Sequence, residues 1–310
     1  MRDIAGAIGR AVSTISDEIA RNQNTRGVYN PKQAAQKTYV RKKYAKFQWM
    51  KIVEHPGLRL FVEARLREWR SPESIAGRVC AHEKDIPGIS GDSVMRFLKS
   101  VHGRKIEALR KRQQRKRRQR KRRGRVGVLD GRRLINTRPQ HINNRMRVGD
   151  AEADFIVSGR DGTGILLTVA DRKLRTAFIE QIIAVSIANV HRAFRRIRKR
   201  YPELRTITTD NDLLFKHHQA LERELGVRIY FCHPYRSWEK GTIENTNGVI
   251  RRDIPKGSDI SRYSKRDIRT VEHKLNGRYM ECLNYRTPFE ALLAYRKRKN
   301  AHHARKRRKK

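Results

Sequence analysis

Asp154-Phe155-Ile156-Val157-Ser158-Gly159-Arg160-Asp161-Gly162-Thr163-Gly164-Ile165-Leu166-Leu167-Thr168-Val169-Ala170 decides the fold. Phe155-Ile156-Val157 reads as a strand, and Gly162-Thr163-Gly164 as a turn. Ile165 to Ala170 reads as a second, buried strand. An apolar run of this length, bounded by glycines, is too short for a typical helix. Thr176-Ala177-Phe178-Ile179 supplies a third strand. Downstream the pattern alternates. Ile182 to Ile197 has helical periodicity, with a basic face of Arg192, Arg195, Arg196, Arg198 and Lys199. Leu204 to Thr209 is a strand, Phe215 to Leu225 a helix, Val227 to Phe231 a strand, and a further helix begins near Lys240. A three-strand meander followed by alternating helix and strand predicts an α/β domain: a mixed five-stranded sheet flanked by helices.

Upstream the pattern is helical. Ile4, Ala5 and Ile8 form a short apolar face that Gly9 ends, and Ser13 is placed to cap a second helix carrying Ile15 and Ile19 inward. Helix, glycine-containing turn, helix is the helix-turn-helix pattern, although a plain helical hairpin has the same signature. As a reader of DNA it would present Ser13, Thr14, Ser16 and Asp17, with Arg10 and Arg21 near the helix ends. Short polar side chains there suit base edges and phosphates. Residues 58–69 have a helical period through Leu60, Phe61, Ala64 and Leu66. Ser71-Pro72-Glu73 caps the next helix with proline at its first position, Pro87-Gly88 breaks it, and Asp92 to Leu98 forms another. This is a second helix-turn-helix candidate, or a small helical bundle.

Two segments concentrate the charge. The 310 residues carry 74 Lys+Arg and 31 Asp+Glu, a net charge of +43. Twelve of the bases fall at 110–125 and ten at 295–310, with no acid in either run. Both runs read as flexible or solvated basic segments, and 104–125 is too poor in apolar residues to build a core. About half of the excess charge remains on the rest of the chain. That points to nucleic acid as partner, ahead of an acidic membrane surface, for which no basic helix with an aromatic face is visible. No apolar run is long enough to span a bilayer, and Met1-Arg2-Asp3 opens no signal-peptide core. Cys80, Cys232 and Cys282 are too few and too scattered for a disulfide framework, so a reducing cytoplasm is expected. His217-His218 and Cys232-His233 are adjacent pairs without zinc-ligand spacing. The chain divides on this reading into 1–50 and 51–103 (helix-turn-helix regions), 104–150 (basic linker), 151–294 (the mixed-sheet domain) and 295–310 (basic tail).

Asp154 lies on the first strand, Asp210 follows the fourth, and Glu244 falls in the helix after the fifth. Strand ends in such a sheet converge on one rim. Carboxylates gathered there repel one another unless a cation neutralises them, and hard oxygen ligands suit Mg²⁺ or Mn²⁺. Two such ions about 4 Å apart activate a nucleophile and stabilise the leaving oxygen of a phosphodiester. By spacing alone, Asp150, Glu152, Asp161, Asp171 or Asp212 could replace one member. Lys240 and Arg251 read either as phosphate contacts near the scissile bond or as a solvated face, with Arg252 beside them. Trp238 reads as structural or as a wall for stacking on DNA, and Leu283 and Phe289 as core.

Three segments together carry a resemblance: Asp154 to Gly159, Thr208-Thr209-Asp210-Asn211-Asp212, and Pro234 to Gly257, which includes Trp238-Glu239-Lys240-Gly241-Thr242-Ile243-Glu244-Asn245. They resemble the insertion-sequence thirty family of bacterial DDE transposases. Leu283-Asn284-Tyr285-Arg286-Thr287-Pro288-Phe289-Glu290 is similar to its C-terminal motif, and Trp69 to Arg78 and Ser13 to Glu18 to its two helix-turn-helix regions. The 33 residues between Asp210 and Glu244 fit its spacing. The resemblance implies an RNase H-like catalytic domain in which Asp154, Asp210 and Glu244 bind two divalent ions. It implies cleavage at transposon ends, attack of the freed 3′-hydroxyl on target DNA, and terminal inverted repeats read by the amino-terminal region. It further implies a homodimer or higher oligomer on double-stranded DNA, in the bacterial cytoplasm at the nucleoid. A transposase-derived repressor that binds without cutting is the alternative. A basic RNA-binding protein would leave Asp210 to Lys256 unexplained. Two departures stand out. Ala151 and Ala153 replace the family's usual Trp and Gly, and Asp212 stands where Gly is common, which puts local packing and full activity in question. The chain also opens inside its first helix-turn-helix, which suggests an incomplete copy or a misassigned start.

Overall fold

A computed structural model describes residues 1–45, 49–114, 131–234 and 236–307. The chain forms two compact units, Met1–Arg118 and Gln119–Lys310.

The first unit is helical. α1 (Arg2–Ile8) ends at Gly9, whose φ of 63° is left-handed, and α2 (Val12–Asn22) follows. Ser13 does not cap α2: Ala11 holds the cap position and Ser13 lies within the helix. A helix absent from the sequence reading, α3 (Pro31–Ala45), closes the end of α2 instead. Lys37 Nζ donates to the Asn22 and Gln23 carbonyls, and Arg41 to Arg21 O and Asn22 Oδ1. Terminal carbonyls without intrahelical partners are thereby satisfied by cations. α4 (Lys51–Glu54), α5 (Pro56–Arg67), α6 (Pro72–His82), α7 (Gly91–Lys99) and α8 (Arg104–Gln114) surround a second core. The buried stripe of α5 is Leu58, Val62 and Leu66, and Leu60 faces solvent. Ser71 and Ser90 cap α6 and α7 by accepting from Ser74 N and Ser93 N at 3.2 Å each. The basic stretch is not wholly solvated. α8 buries Ile106 in this core, and Arg110 donates to the Leu66 and Arg70 carbonyls while its guanidinium lies over Trp69. The run's remaining bases, 115–125, fall outside the described residues.

In the second unit a short helix, α9 (Gln140–Asn143), precedes β1 (Asp150–Val157), β2 (Ile165–Asp171) and β3 (Ala177–Ile182). Then come α10 (Ile187–Arg200), β4 (Thr206–Thr209), α11 (His218–Leu225) and β5 (Arg228–Phe231). α12 (Gly241–Asp253), α13 (Lys265–Asn276) and α14 (Pro288–Arg307) complete it. The sheet order is β3-β2-β1-β4-β5. β1–β2 and β2–β3 are antiparallel, while β1–β4 and β4–β5 are parallel. An antiparallel meander extended by two parallel strands, with helices on both faces, is the RNase H-like fold. One face packs Ala151, Ala153, Val169 and Ile207 against Phe194, Leu221 and Leu292 of α10, α11 and α14. The other packs Ile156, Leu166 and Ile179 against α12 and α13.

Several expected boundaries move. Ile182 closes β3, and α10 starts only at Ile187, capped by Ser186. The stretch from Phe215 is a 3-10 turn, Leu213–Phe215, followed by α11. The basic tail is helical through Arg307, and Arg296 ties α14 to Glu203 at 2.9 Å. Phe289 is half exposed and rests on His273, while Leu283 packs at the core's edge.

Candidate active site

Side chains alternate across a strand, so Asp150, Glu152 and Asp154 of β1 share one face. The structure gives them different tasks. Asp150 is fully buried between Arg147 (2.8 Å) and Thr206 (2.8 Å). Glu152 is also buried; it takes Arg172 at 3.0 Å and accepts from Ile243 N, in the first turn of α12, at 2.9 Å. A carboxylate suits the positive end of a helix, so Glu152 seats the helix that carries Glu244. Asp171 accepts from Gly149 N and Lys173 N and from the Tyr201 hydroxyl, and burial raises its pKa. Asp212 caps its own turn through Leu214 N, and Asp161 is exposed. Among the alternative acids, Asp150, Glu152, Asp171 and Asp212 thus have structural partners.

Asp154 is placed differently. The parallel β1–β4 register pairs Glu152 with Thr208, and two residues further, in step, stand Asp154 and Asp210. Between them lies Lys240, 6 % exposed, with Nζ 3.1 Å from Asp154 Oδ1 and 3.0 Å from Asp210 Oδ2. The solvated-face reading of Lys240 does not hold: its ammonium is the counter-ion of the two aspartates. Burial opposes the charge on Lys240, but the two carboxylates outweigh it and raise its pKa. Burial raises the pKa of Asp154, and Asp210 adds to the shift while Lys240 opposes it. Asn247 Nδ2 donates to Asp154 Oδ2 at 2.8 Å, and the Thr168 hydroxyl lies 2.9 Å from Asn247 Oδ1. His233 Nδ1 lies 2.8 Å from Glu239 Oε1, which fixes the turn leading to Lys240. Burial pushes the Cys232 thiol up to about 12, consistent with an inert core sulfur.

Asp210 Oδ1 is shielded from solvent and has no hydrogen-bond partner among the described residues. A buried, unsatisfied carboxylate oxygen beside a second carboxylate is a donor set for a hard cation. The residues therefore fit a divalent ion at Asp154 and Asp210, where the ammonium now sits. Glu244 is in the first turn of α12 and exposed. Among the described residues, no three acidic, histidine or cysteine side chains stand together in a metal-holding group, so Glu244 does not join the aspartates in this arrangement.

Of the residues expected to touch DNA, Arg10 and, on α2, Ser13, Thr14, Ser16 and Arg21 are all exposed, while Ile15 and Ile19 are half buried. Arg252 is exposed; Arg251 is half-buried and donates to Val157 O and Pro255 O. Trp238 is 69 % exposed, which removes the structural reading. Glu152 was considered only as an alternative metal carboxylate, and Thr168 and Asn247 were missed. The period of two along β1 and the three-residue step from Glu244 to Asn247 were the available signals.

No family model matches the chain. It is 36% identical to the transposase for insertion sequence element IS4351 of Bacteroides fragilis, over 93% of this chain and 88% of that protein. It is 31% identical to transposase InsI for insertion sequence element IS30A of Escherichia coli, over 94% of this chain and 78% of that protein. The transposase for IS1086 of Cupriavidus metallidurans is 28% identical, over 94% and 88%. Among solved structures, the BIV integrase catalytic core aligns with 14% identity and a TM-score of 0.38, covering 49% of this chain and 98% of that one. Matched over nearly its whole length, the chain belongs to the IS30-type family of insertion-sequence transposases.

Proposed function

We propose that this protein is a DNA transposase that binds terminal inverted repeats and cuts and joins DNA strands at Asp154, Asp210 and Glu244 with two Mg²⁺ or Mn²⁺ ions. The carrying observation is the Asp154–Asp210 pair, brought together by neighbouring strands β1 and β4 around a buried cation. When bound, the divalent ions supply activation of the attacking oxygen and charge neutralisation at the scissile phosphate. The protein's own residues prepare that place. Asn247 orients the Asp154 carboxylate, and Glu152 anchors the helix end from which Glu244 extends. Trp238 offers an exposed ring for stacking on an unpaired base near the cut. Arg10 and the exposed face of α2 through Arg21, with the α6–α7 pair, read the repeats, and Arg251 and Arg252 lie further along the helix that carries Glu244. Joining two ends calls for at least two protomers on DNA, in the bacterial cytoplasm at the nucleoid.

The test uses labelled inverted-repeat DNA with Mg²⁺ or Mn²⁺. The native chain is expected to cleave or join strands. Asp210→Asn and Glu244→Gln are expected to bind equally and to lose at least about a hundredfold in rate. Equal activity in either variant sinks the carboxylate assignment. Binding without cleavage by the native chain favours the repressor.

A further inference from the structure

A cavity of about 830 Å³ opens on the second unit where β4 and β5 begin. These strands are parallel, so the residues at their start, Arg205 and Arg228, stand at the rim opposite Asp210, which follows the end of β4. Six arginines and Lys299 line the cavity, and its two acids are already engaged. Glu203 is held by Arg296, and Glu222 by Arg133 and by Ile229 N. Arg147 is likewise committed to Asp150, and Arg198 to the Pro202 and Leu204 carbonyls. Three lining guanidiniums remain: Arg205, Arg223 and Arg228 are exposed and have no ion-pair partner among the described residues. Three cations around one concavity repel each other, and the concavity focuses their field. Each presents a planar fork that matches two phosphate oxygens.

We propose that this cavity is a second DNA-binding site, which takes the phosphodiester backbone of a duplex segment away from the point of cutting. Two features favour a polymer over a small anion. The space is open rather than enclosed, and α14, with its basic turns, continues the positive surface through Lys299 at the cavity wall. The inference rests on DNA being the substrate, but it does not need the metal assignment of Asp154, Asp210 and Glu244.

The experiment measures binding of the full chain to a fluorescent duplex that lacks the inverted repeat, across a salt series. One variant combines Arg205→Ala, Arg223→Ala and Arg228→Ala. A control removes the same charge from the other face of the sheet with Lys256→Ala, Lys265→Ala and Arg266→Ala. The cavity variant is expected to lose at least about tenfold in affinity and, at about 0.9 per lost phosphate contact, two to three units of the log–log salt slope. An unchanged affinity, or an equal loss in the control, overturns the site. Loss of ATP binding with duplex affinity intact also overturns it, because it assigns the cavity to a mononucleotide. Repeating the pair of measurements in the Asp210→Asn background separates the two readings. The cavity effect is expected to persist there even if the carboxylate assignment fails.

Discussion

Lys240 has two aspartates on one ammonium, and its removal leaves two carboxylates facing each other across a partly desolvated space. Lys240→Met is therefore expected to lower the melting temperature in metal-free buffer and to lower the Mn²⁺ concentration needed to raise it again. A higher Mn²⁺ requirement would show that Lys240 supports the cation site rather than occupying it. Gly149 presents a different constraint. Its φ is 100°, and a Cβ would collide with the Glu203 carbonyl. Gly149→Ala is expected to cost about 3 kcal/mol or more in denaturant unfolding. At this scale the aspartates were readable because Asp154 lies within a strand and Asp210 directly follows one. The inward turn of Lys240 was not, because it is one of 74 basic residues and Asp154 is 86 positions away. The departures from the family pattern are absorbed locally. Ala151 and Ala153 are fully buried against the α10 side, and Asp212 has an ordinary φ of −69°, so no glycine is needed there.

Among the elements, the legible helices were those whose start is written in local chemistry. Ser71-Pro72-Glu73 and Ser90 became caps because a serine oxygen reaches an amide three residues on. Ser71→Ala is expected to cost about 1 kcal/mol. α3 was invisible because Ala34 is its buried apolar residue and its role is to bring Lys37 and Arg41 to the end of α2. α8 was misread for a related reason: one isoleucine suffices to dock it. Ile106→Ala is expected to destabilise the first unit by about 3 kcal/mol, measured by its unfolding. The α14 anchor responds to acid. Burial alone would raise the pKa of Glu203, but Arg296 overrides it and the pKa is lowered. The carboxylate is thus favoured in the folded state. Its stabilisation is complete above the ordinary glutamate range and drains away as pH falls through the depressed value. Protection of α14 amides, relative to their intrinsic exchange rate at each pH, is expected to fall on acidification, and Arg296→Ala to abolish that pH dependence.

For the molecule as a whole, charge and fold answer separate questions. The excess of +43 identified the kind of partner but nothing of the architecture. The mixed sheet followed from the order of strands and helices, since a meander leaves a central strand with a free edge beside which β4 can insert. What the order did not reveal was the arginine-bearing cavity at the opposite rim. DNA affinity is expected to fall steeply with salt, by about a thousandfold between about 50 and 200 mM, if six or so phosphates are neutralised. A shallow dependence would mean that much of this charge lies away from DNA.

The position of β1 in the sheet also bears on synthesis. Asp154 and Asp210 become neighbours only once β4 lies beside β1, and Lys240 and α12 emerge later still. At ribosomal rates the helical unit ending at Arg118 precedes them by on the order of ten seconds. During that interval the nascent polypeptide has its helical unit but no assembled carboxylate pair, so under the proposed function DNA binding would precede cutting in each new copy.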